Sequence, residues 1–159
     1  ARFVLTNLEN HELRIMNHGS VTPKTDADRV ILEELQATTG VVTRHIDAYR
    51  FHKAAQTVYD FIWNKFASVY LEASKHQLRA GDTSEVSGGD GLLRSERSAD
   101  DLADNTRAIL LYVLKRSLTL LHPFMPFVTE TIWQQLPKTN GDSELLISQP
   151  WPRSPIHNS

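Results

Sequence analysis

The segment LLHPFMPFVTETIW, residues 120–133, places two prolines inside the most apolar part of the chain. A proline within a helix costs about 3 kcal/mol, because it removes a hydrogen bond and clashes with the preceding turn. In the first turn of a helix the same residue is well tolerated. The spacing of Pro123 and Pro126 therefore predicts that one helix ends near Leu121 or His122, that the chain turns through HPFMP, and that a new helix begins with Pro126 and continues until Pro137. We expect Phe124, Met125 and Phe127 to stay buried at this corner.

Apolar residues recur at helical spacing through most of the chain upstream of this corner. The pattern predicts helices over residues 1–9, 26–48, 51–80 and 98–121. Thr25 and Asp28 form a capping-box sequence for the second helix. Its section Thr38–Val42 consists of poor helix formers, so we expect either that tertiary packing holds it or that the helix is locally irregular there. The fold class is therefore all-α, an antiparallel helix bundle. A short extended segment, ELLISQPWP, follows the last helix, and we expect Trp151 to pack back onto the bundle.

The inward positions of the second predicted helix are Val30, Ile31, Leu35, Val41, Val42 and Ile46. Those of the third are Phe51, Ala55, Val58, Ile62, Phe66, Val69 and Ala73. A second stripe on the third helix is aromatic and comprises Tyr59, Trp63, Phe66 and Tyr70. Core packing is the favoured interpretation of this stripe, and a platform for stacking nucleic-acid bases is the alternative.

The stretch AGDTSEVSGGDGLLRSERS, residues 80–98, interrupts the helical pattern with glycine, serine and aspartate. This composition predicts a flexible internal loop over 81–98. A phosphate-binding loop is a poor alternative, because the glycines do not match the G-x-x-x-x-G-K-[ST] spacing. Ser98, Asp100 and Asp101 then resemble the cap and acidic first turn of the next helix.

The composition is that of an ordinary globular domain. The chain has 159 residues, of which 40% are hydrophobic and 23% charged, a net charge of −2, and no cysteine. No apolar run approaches the roughly 18 residues that a membrane span requires, so we expect no membrane partner and a cytoplasmic location. The absence of cysteine excludes disulfides and thiolate metal sites. Because the opening ARFVLTNLEN lacks an initiator methionine and begins in amphipathic pattern, we interpret residues 1–159 as one domain cut from a longer protein.

Catalytic chemistry has little support in the sequence. The seven histidines are scattered, with no H-x-x-x-H pair, and no G-x-S-x-G motif occurs. Asp100, Asp101 and Asp104 could in principle bind a hard cation, but carboxylates at a helix start are more often caps. We therefore predict no catalytic residue, no metal site and no cofactor site in this chain.

Several longer segments carry a family resemblance. ARFVL, DADR, FHKAAQTVYDFIWNKFASVYLEASK, LLHPFMPFVTETIWQQLP and PWP occur in this order. Together they resemble the helical anticodon-binding domain of the class I aminoacyl-tRNA synthetases for valine, isoleucine and leucine. The LLHPFMPF segment is most similar to the valine branch, with the isoleucine and leucine branches as alternatives. The resemblance covers nearly the whole chain and is weakest at 81–98.

The resemblance implies a helix bundle that docks on the anticodon stem and loop of a tRNA. It also implies a parent enzyme in which a separate catalytic domain of Rossmann type uses ATP to attach the amino acid. The HIGH-like and KMSKS-like ATP-binding signatures of the family are absent from this sequence. We therefore expect the domain to bind tRNA without catalysing aminoacylation by itself. A helical protein-interaction module without an RNA role is the competing hypothesis.

Four basic residues are the candidate nucleic-acid-binding residues. Arg2 in ARF and Arg29 in DADR match family positions near the anticodon-facing end of the bundle. Arg50 and Lys53 lie in the basic stretch RHIDAYRFHK and are secondary candidates for contact with the RNA backbone. The alternative role for Arg29 is a surface ion pair with Glu33, four residues further along the helix.

Overall fold

A computed structural model describes residues 2–8, 21–82 and 90–152 of the chain. Every regular element in these ranges is helical, which confirms the predicted all-α fold class. In chain order the elements are α1 (Arg2–Leu8), α2 (Asp26–Asp47), α3 (Phe51–Asp60), a π-helical segment (Phe61–Tyr70), α4 (Leu71–Asp82), α5 (Asp90–Leu121), α6 (Pro126–Trp133) and a 3-10 turn (Leu146–Ser148).

The long helices alternate in direction along the chain, as their polar contacts show. The Gln77 side chain of α4 donates a hydrogen bond to the Thr25 hydroxyl, just before α2, at 3.4 Å. The same side chain accepts a hydrogen bond from the Thr106 hydroxyl of α5 at 2.6 Å. Lys24 donates to the Asp101 carbonyl of α5 at 3.1 Å. Here the beginning of α2, the end of α4 and the first half of α5 meet. We call this the Asp28 end of the bundle, after the buried carboxylate at its centre.

The core is mainly aliphatic, and side chains from α1 to the 3-10 turn contribute to it. Its largest fully buried side chains are Trp133, Tyr70, Ile109, Leu110, Leu120 and Leu146. Burial of this apolar surface is the main favourable term that holds the helices together.

The capping box predicted at the start of α2 is confirmed. The Asp28 amide donates to the Thr25 hydroxyl at 3.2 Å, and the Thr25 amide donates to the Asp28 carboxylate at 3.0 Å. The second oxygen of this buried carboxylate accepts from the Tyr70 hydroxyl at 2.7 Å. Burial, reinforced by the hydrogen bond and by the charge of Asp28, raises the pKa of Tyr70, so this hydroxyl stays protonated and donates. The cap is thereby tied to the neighbouring helix.

The poor helix formers of α2 lie in an unbroken helix. Thr38, Thr39 and Val42 are buried, and the Thr39 hydroxyl donates to the Leu35 carbonyl at 2.8 Å. Tertiary packing therefore overrides intrinsic propensity, as expected. Val30 was predicted to point inward, but it is 54% exposed because the buried stripe runs through Ile31 instead.

The predicted third helix is continuous but changes its hydrogen bonding in the middle. Its buried positions run Ala54, Val58, Phe61, Phe66, Tyr70, Ser74 and Leu78. The five-residue step from Phe61 to Phe66 matches the wider turn of the π segment, where the Leu71 amide reaches the Phe66 carbonyl. A uniform period of 3.6 residues wrongly placed Val69 inward, and it is 59% exposed. Phe51 is 51% exposed as well, since it lies in the first turn at the bundle end.

The proline corner is confirmed. Helix α5 ends at Leu121, and α6 begins with Pro126 in its first turn. Helix α6 ends at Trp133, earlier than the predicted end at Pro137. The Nδ1 atom of His122 lies 2.8 Å from the Thr129 hydroxyl and bridges the two helices. The predicted burial of Met125 and Phe127 is wrong, because they are 47% and 87% exposed while Phe124 packs against the core. Thr129 and Trp133 form the buried face of α6, which leaves Phe127 on the opposite side.

The segment after α6 returns to the bundle as expected. The 3-10 turn is flanked by extended backbone at Leu145 and Gln149. The indole of Trp151 then donates to the Thr43 hydroxyl at 3.0 Å, which confirms that this tryptophan packs against α2.

The flexible loop predicted over 81–98 is too long. Residues 81–82 belong to α4 and residues 90–98 belong to α5, while 83–89 lie outside the described residues. Ser98, Asp100 and Asp101 therefore lie inside α5 rather than at its start. The glycine and serine content suggested a break, but the charged and leucine residues of GLLRSERSADD continue the helical pattern of α5.

Candidate nucleic-acid interface

The four predicted binding residues lie at opposite ends of the bundle. Arg29 occupies the first turn of α2, and Arg50 immediately precedes α3, at the far end. The 22 residues of α2 rise about 30 Å at 1.5 Å per residue. Lys53 accompanies Arg50 in the first turn of α3. The sequence prediction therefore combined two separate surfaces.

Arg29 points into solvent at the Asp28 end. Its guanidinium lies 3.5 Å from the Asp26 carboxylate, and the two side chains are 64% and 95% exposed. The predicted alternative partner, Glu33, does not make this contact. An ion pair this exposed contributes about 0–1 kcal/mol, so a phosphate could compete for Arg29 at little cost.

Arg2 lies at the same end as Arg29. It is exposed at the start of α1, and the ring of the adjacent Phe3 lies 5.9 Å from the Lys75 ammonium. Lys75 is two residues before Gln77, which contacts Thr25 at the start of α2. The Asp28 end thus carries two exposed guanidiniums, and Arg2 is next in the chain to the phenylalanine whose ring meets Lys75.

The buried groups below this surface hold it in place. Asp28 accepts three hydrogen bonds, from the Lys24 amide, the Thr25 amide and the Tyr70 hydroxyl. Both oxygens of the carboxylate are therefore engaged within the bundle, and Tyr70 stays protonated. The arrangement can bind an anion and stack a base, but it presents no nucleophile with an adjacent base.

The opposite end presents a second exposed surface. Tyr49 is 82% exposed and Phe51 51% exposed, and Arg50 and Lys53 beside them are also exposed. The sequence prediction selected the two cations and missed the two aromatic rings. The alternation of aromatic and basic residues in YRFHK was the available signal.

The aromatic stripe of the third helix is only partly in the core. Phe66 and Tyr70 are buried, as the favoured interpretation predicted. Tyr59 and Trp63 are each 60% exposed and stack on one another with centroids 6.4 Å apart, so core packing is wrong for them. Tyr59 precedes the π segment and Trp63 lies in its first turn, whereas the wider turn directs the later aromatics Phe66 and Tyr70 inward.

Across residues 2–8, 21–82 and 90–152, no three histidine, aspartate or glutamate side chains are grouped so that they could hold a metal ion. In the same ranges, none of the helices combines the length and the apolar character that crossing a membrane requires.

Comparison with known proteins identifies the family. The family model described as the anticodon-binding domain of tRNA ligase matches residues 28–158. The chain is 40% identical over 153 residues to a valine-tRNA ligase of Stenotrophomonas maltophilia, a match that covers 96% of this chain and 14% of the relative. A valine-tRNA ligase of Pseudothermotoga lettingae is 40% identical over 152 residues, which cover 96% of this chain and 14% of that relative. A valine-tRNA ligase of Bacillus thuringiensis subsp. konkukian is 36% identical over 159 residues, which cover 100% of this chain and 16% of that relative.

The chain thus spans about one seventh of the length of these relatives. The match extends from the capping box of α2 through the proline corner to the segment after Trp151, so it includes the helices that define the bundle. The chain belongs to the family of anticodon-binding domains of tRNA ligases.

Proposed function

We propose that this chain recognises the anticodon stem and loop of a valine tRNA, as one domain of a valine-tRNA ligase. Membership of the anticodon-binding family supports the tRNA, and the named relatives support valine. These comparisons do not favour the isoleucine and leucine branches or a protein-interaction module.

The observation that carries the proposal is the pair of exposed guanidiniums at the Asp28 end. Arg2 and Arg29 come from different helices, and the helix packing brings them to one end of the bundle. Arginine suits phosphate and base edges because its planar fork donates two hydrogen bonds at once. An RNA loop is read mainly by stacking and by hydrogen bonds to splayed bases. A net charge of −2 is compatible with this mode of binding.

The remainder of the proposed parent enzyme supplies the chemistry. Since this chain corresponds to 14–16% of each relative, the larger part lies outside it. We assign ATP binding and attachment of valine to a catalytic domain in that part, which is then a second partner of the bundle. The bundle contributes tRNA binding and needs no cofactor of its own for that role.

A double Arg2→Ala, Arg29→Ala variant tests the site assignment. We expect it to bind the anticodon stem-loop hairpin of valine tRNA about tenfold more weakly than the unmodified chain, because two cations that face phosphates or base edges are lost. The plot of log affinity against log salt concentration should become shallower, its slope decreasing in magnitude by about one to two, since fewer counterions are released. Fluorescence anisotropy over a salt series measures both quantities.

Lys65→Ala is the matched control, because Lys65 is an exposed cation on the side of the bundle that pairs with Glu34. Its affinity and salt slope should equal those of the unmodified chain. Equal affinity and slope for the double arginine variant would contradict the assignment of Arg2 and Arg29.

A further inference from the structure

The turn between α2 and α3 holds a tyrosine in an unusual conformation. Tyr49 has a φ of 57°, and no other non-glycine residue in the described ranges has a positive φ. This region is uncommon for a bulky residue. Two hydrogen bonds fix the turn, from the Tyr49 amide to the Ile46 carbonyl at 2.9 Å and from the Arg50 amide to the His45 carbonyl at 2.7 Å. The turn therefore directs the Tyr49 ring away from the core.

The Tyr49 ring is braced and still open to solvent. The Phe51 ring meets it edge to face, with centroids 6.2 Å apart and planes at 85°. Tyr49 nevertheless remains 82% exposed, so packing in this domain does not explain the orientation. An exposed aromatic ring provides a face on which an unpaired nucleic-acid base can stack.

The charge around this ring favours an anionic partner. Arg44, Arg50 and Lys53 are exposed in or beside the turn, and Asp47 is the acidic residue between them. Within the part of the chain that the structure describes, these three cations form no ion pair. A purely apolar protein partner would have to desolvate them, whereas RNA offers phosphates for the cations and bases for the ring.

We infer that Tyr49, Arg50 and Lys53 form a second RNA contact, separate from the one at the Asp28 end. The inference rests on the proposed function and extends it from the anticodon loop to the body of the same tRNA. Arg50 and Lys53 contact phosphates, and Tyr49 stacks on an unpaired base.

The length of α2 sets the distance between the two contacts. It separates them by about 30 Å, on the order of ten stacked base pairs at roughly 3 Å per step. An isolated anticodon stem-loop is too short to reach both ends, whereas an intact tRNA spans the distance.

The experiment compares two RNA probes with the full 159-residue chain and its variants. The probes are an intact valine tRNA transcript and its isolated anticodon stem-loop hairpin.

The variants are Tyr49→Asn and the double change Arg50→Ala, Lys53→Ala. Asparagine tolerates the positive φ, so Tyr49→Asn removes the ring and preserves the turn. Arg50 makes no side-chain capping hydrogen bond, so its truncation leaves the start of α3 intact. Tyr49→Phe keeps the ring and serves as the matched control, and circular dichroism checks that each variant is folded.

We expect both variants to bind the intact tRNA about tenfold more weakly, and the hairpin within twofold of the unmodified chain. Tyr49→Phe should bind both probes normally. If the variants bind intact tRNA with unchanged affinity, as they would if this surface received another protein, the second contact is overturned. If the variants lose the same affinity for the intact tRNA and for the hairpin, the second contact is not separate from the contact at the Asp28 end. Failure of the unmodified chain to bind the hairpin would instead contradict the proposed function.

Discussion

Replacing Asp142 with alanine is expected to lower the free energy of unfolding by about 3–5 kcal/mol, because it leaves a buried cation without its partner. Asp142 accepts a hydrogen bond from the Lys115 ammonium, and the two side chains are 9% and 10% exposed. The carboxylate also accepts from the amide and hydroxyl of Thr139, each at 2.7 Å. This cluster fixes the loop after α6 against the C-terminal part of α5.

The pKa values of this pair determine how the effect depends on pH. Burial lowers the pKa of Lys115, against the opposing influence of Asp142. Burial alone would raise the pKa of Asp142, but hydrogen bonds from Lys115 and Thr139 outweigh it and hold the pKa below the ordinary 3.8. A lowered carboxyl pKa contributes stability that is complete above the unfolded-state value and is lost as pH falls through the folded-state value. The difference in stability between the unmodified chain and Asp142→Ala should therefore narrow once the pH falls below about 4.

Urea unfolding followed by circular dichroism at pH 7 and at lower pH measures this difference. The double variant Lys115→Met, Asp142→Leu is the control. Because it removes both charges and retains apolar volume, it should recover most of the lost stability. A cost below about 1 kcal/mol for Asp142→Ala at pH 7 would show that the pair is not effectively buried.

Replacing Trp133 with alanine is expected to lower the free energy of unfolding by about 3–5 kcal/mol, the usual range for a buried aromatic residue. Trp133 is 0% exposed on the inner face of α6. Its indole donates to the Ser143 carbonyl at 3.2 Å, and the Lys138 and Lys115 ammonium groups lie 4.3 Å and 5.7 Å from its ring centroid. Loss of the ring removes apolar burial and two cation–π contacts together.

Trp63→Ala is the matched control, since the same residue type is 60% exposed there. Removing the Trp63 ring should lower the free energy of unfolding by about 1 kcal/mol or less, because mainly the stacking with Tyr59 is lost. Urea midpoints measured under identical conditions give both values. Similar losses at the two positions would contradict the distinction between the core face and the exposed stripe.

The corner between α5 and α6 was predictable because proline acts locally, through its ring and its missing amide hydrogen. The capping box at Thr25 and Asp28 was predictable for the same reason. The exposure of Met125 and Phe127 was not, because a short apolar helix does not reveal which of its faces meets the bundle. That choice is made by Trp133 and Thr129, which fit into the core, and Thr129 also pairs with His122 across the corner.

The π segment explains the remaining error in the third helix. A period of 3.6 residues was assumed throughout, and the five-residue step from Phe61 to Phe66 shifts every later position. Val69 consequently lies outside while Tyr70 lies inside. The candidate site shows a related difficulty, because the sequence identified Arg29 and Arg50 as exposed cations without showing that α2 keeps them at opposite ends.

Exchange of the anticodon bases is the sharpest test of anticodon recognition by the bundle. The chain is titrated at one fixed salt concentration against two stem-loop hairpins that share a stem, one with a valine anticodon and one with its three anticodon bases replaced. Recognition of unpaired bases predicts that the replaced hairpin binds at least about tenfold more weakly. Equal affinity for the two hairpins would show that the bundle contacts only the RNA backbone, and would contradict anticodon recognition.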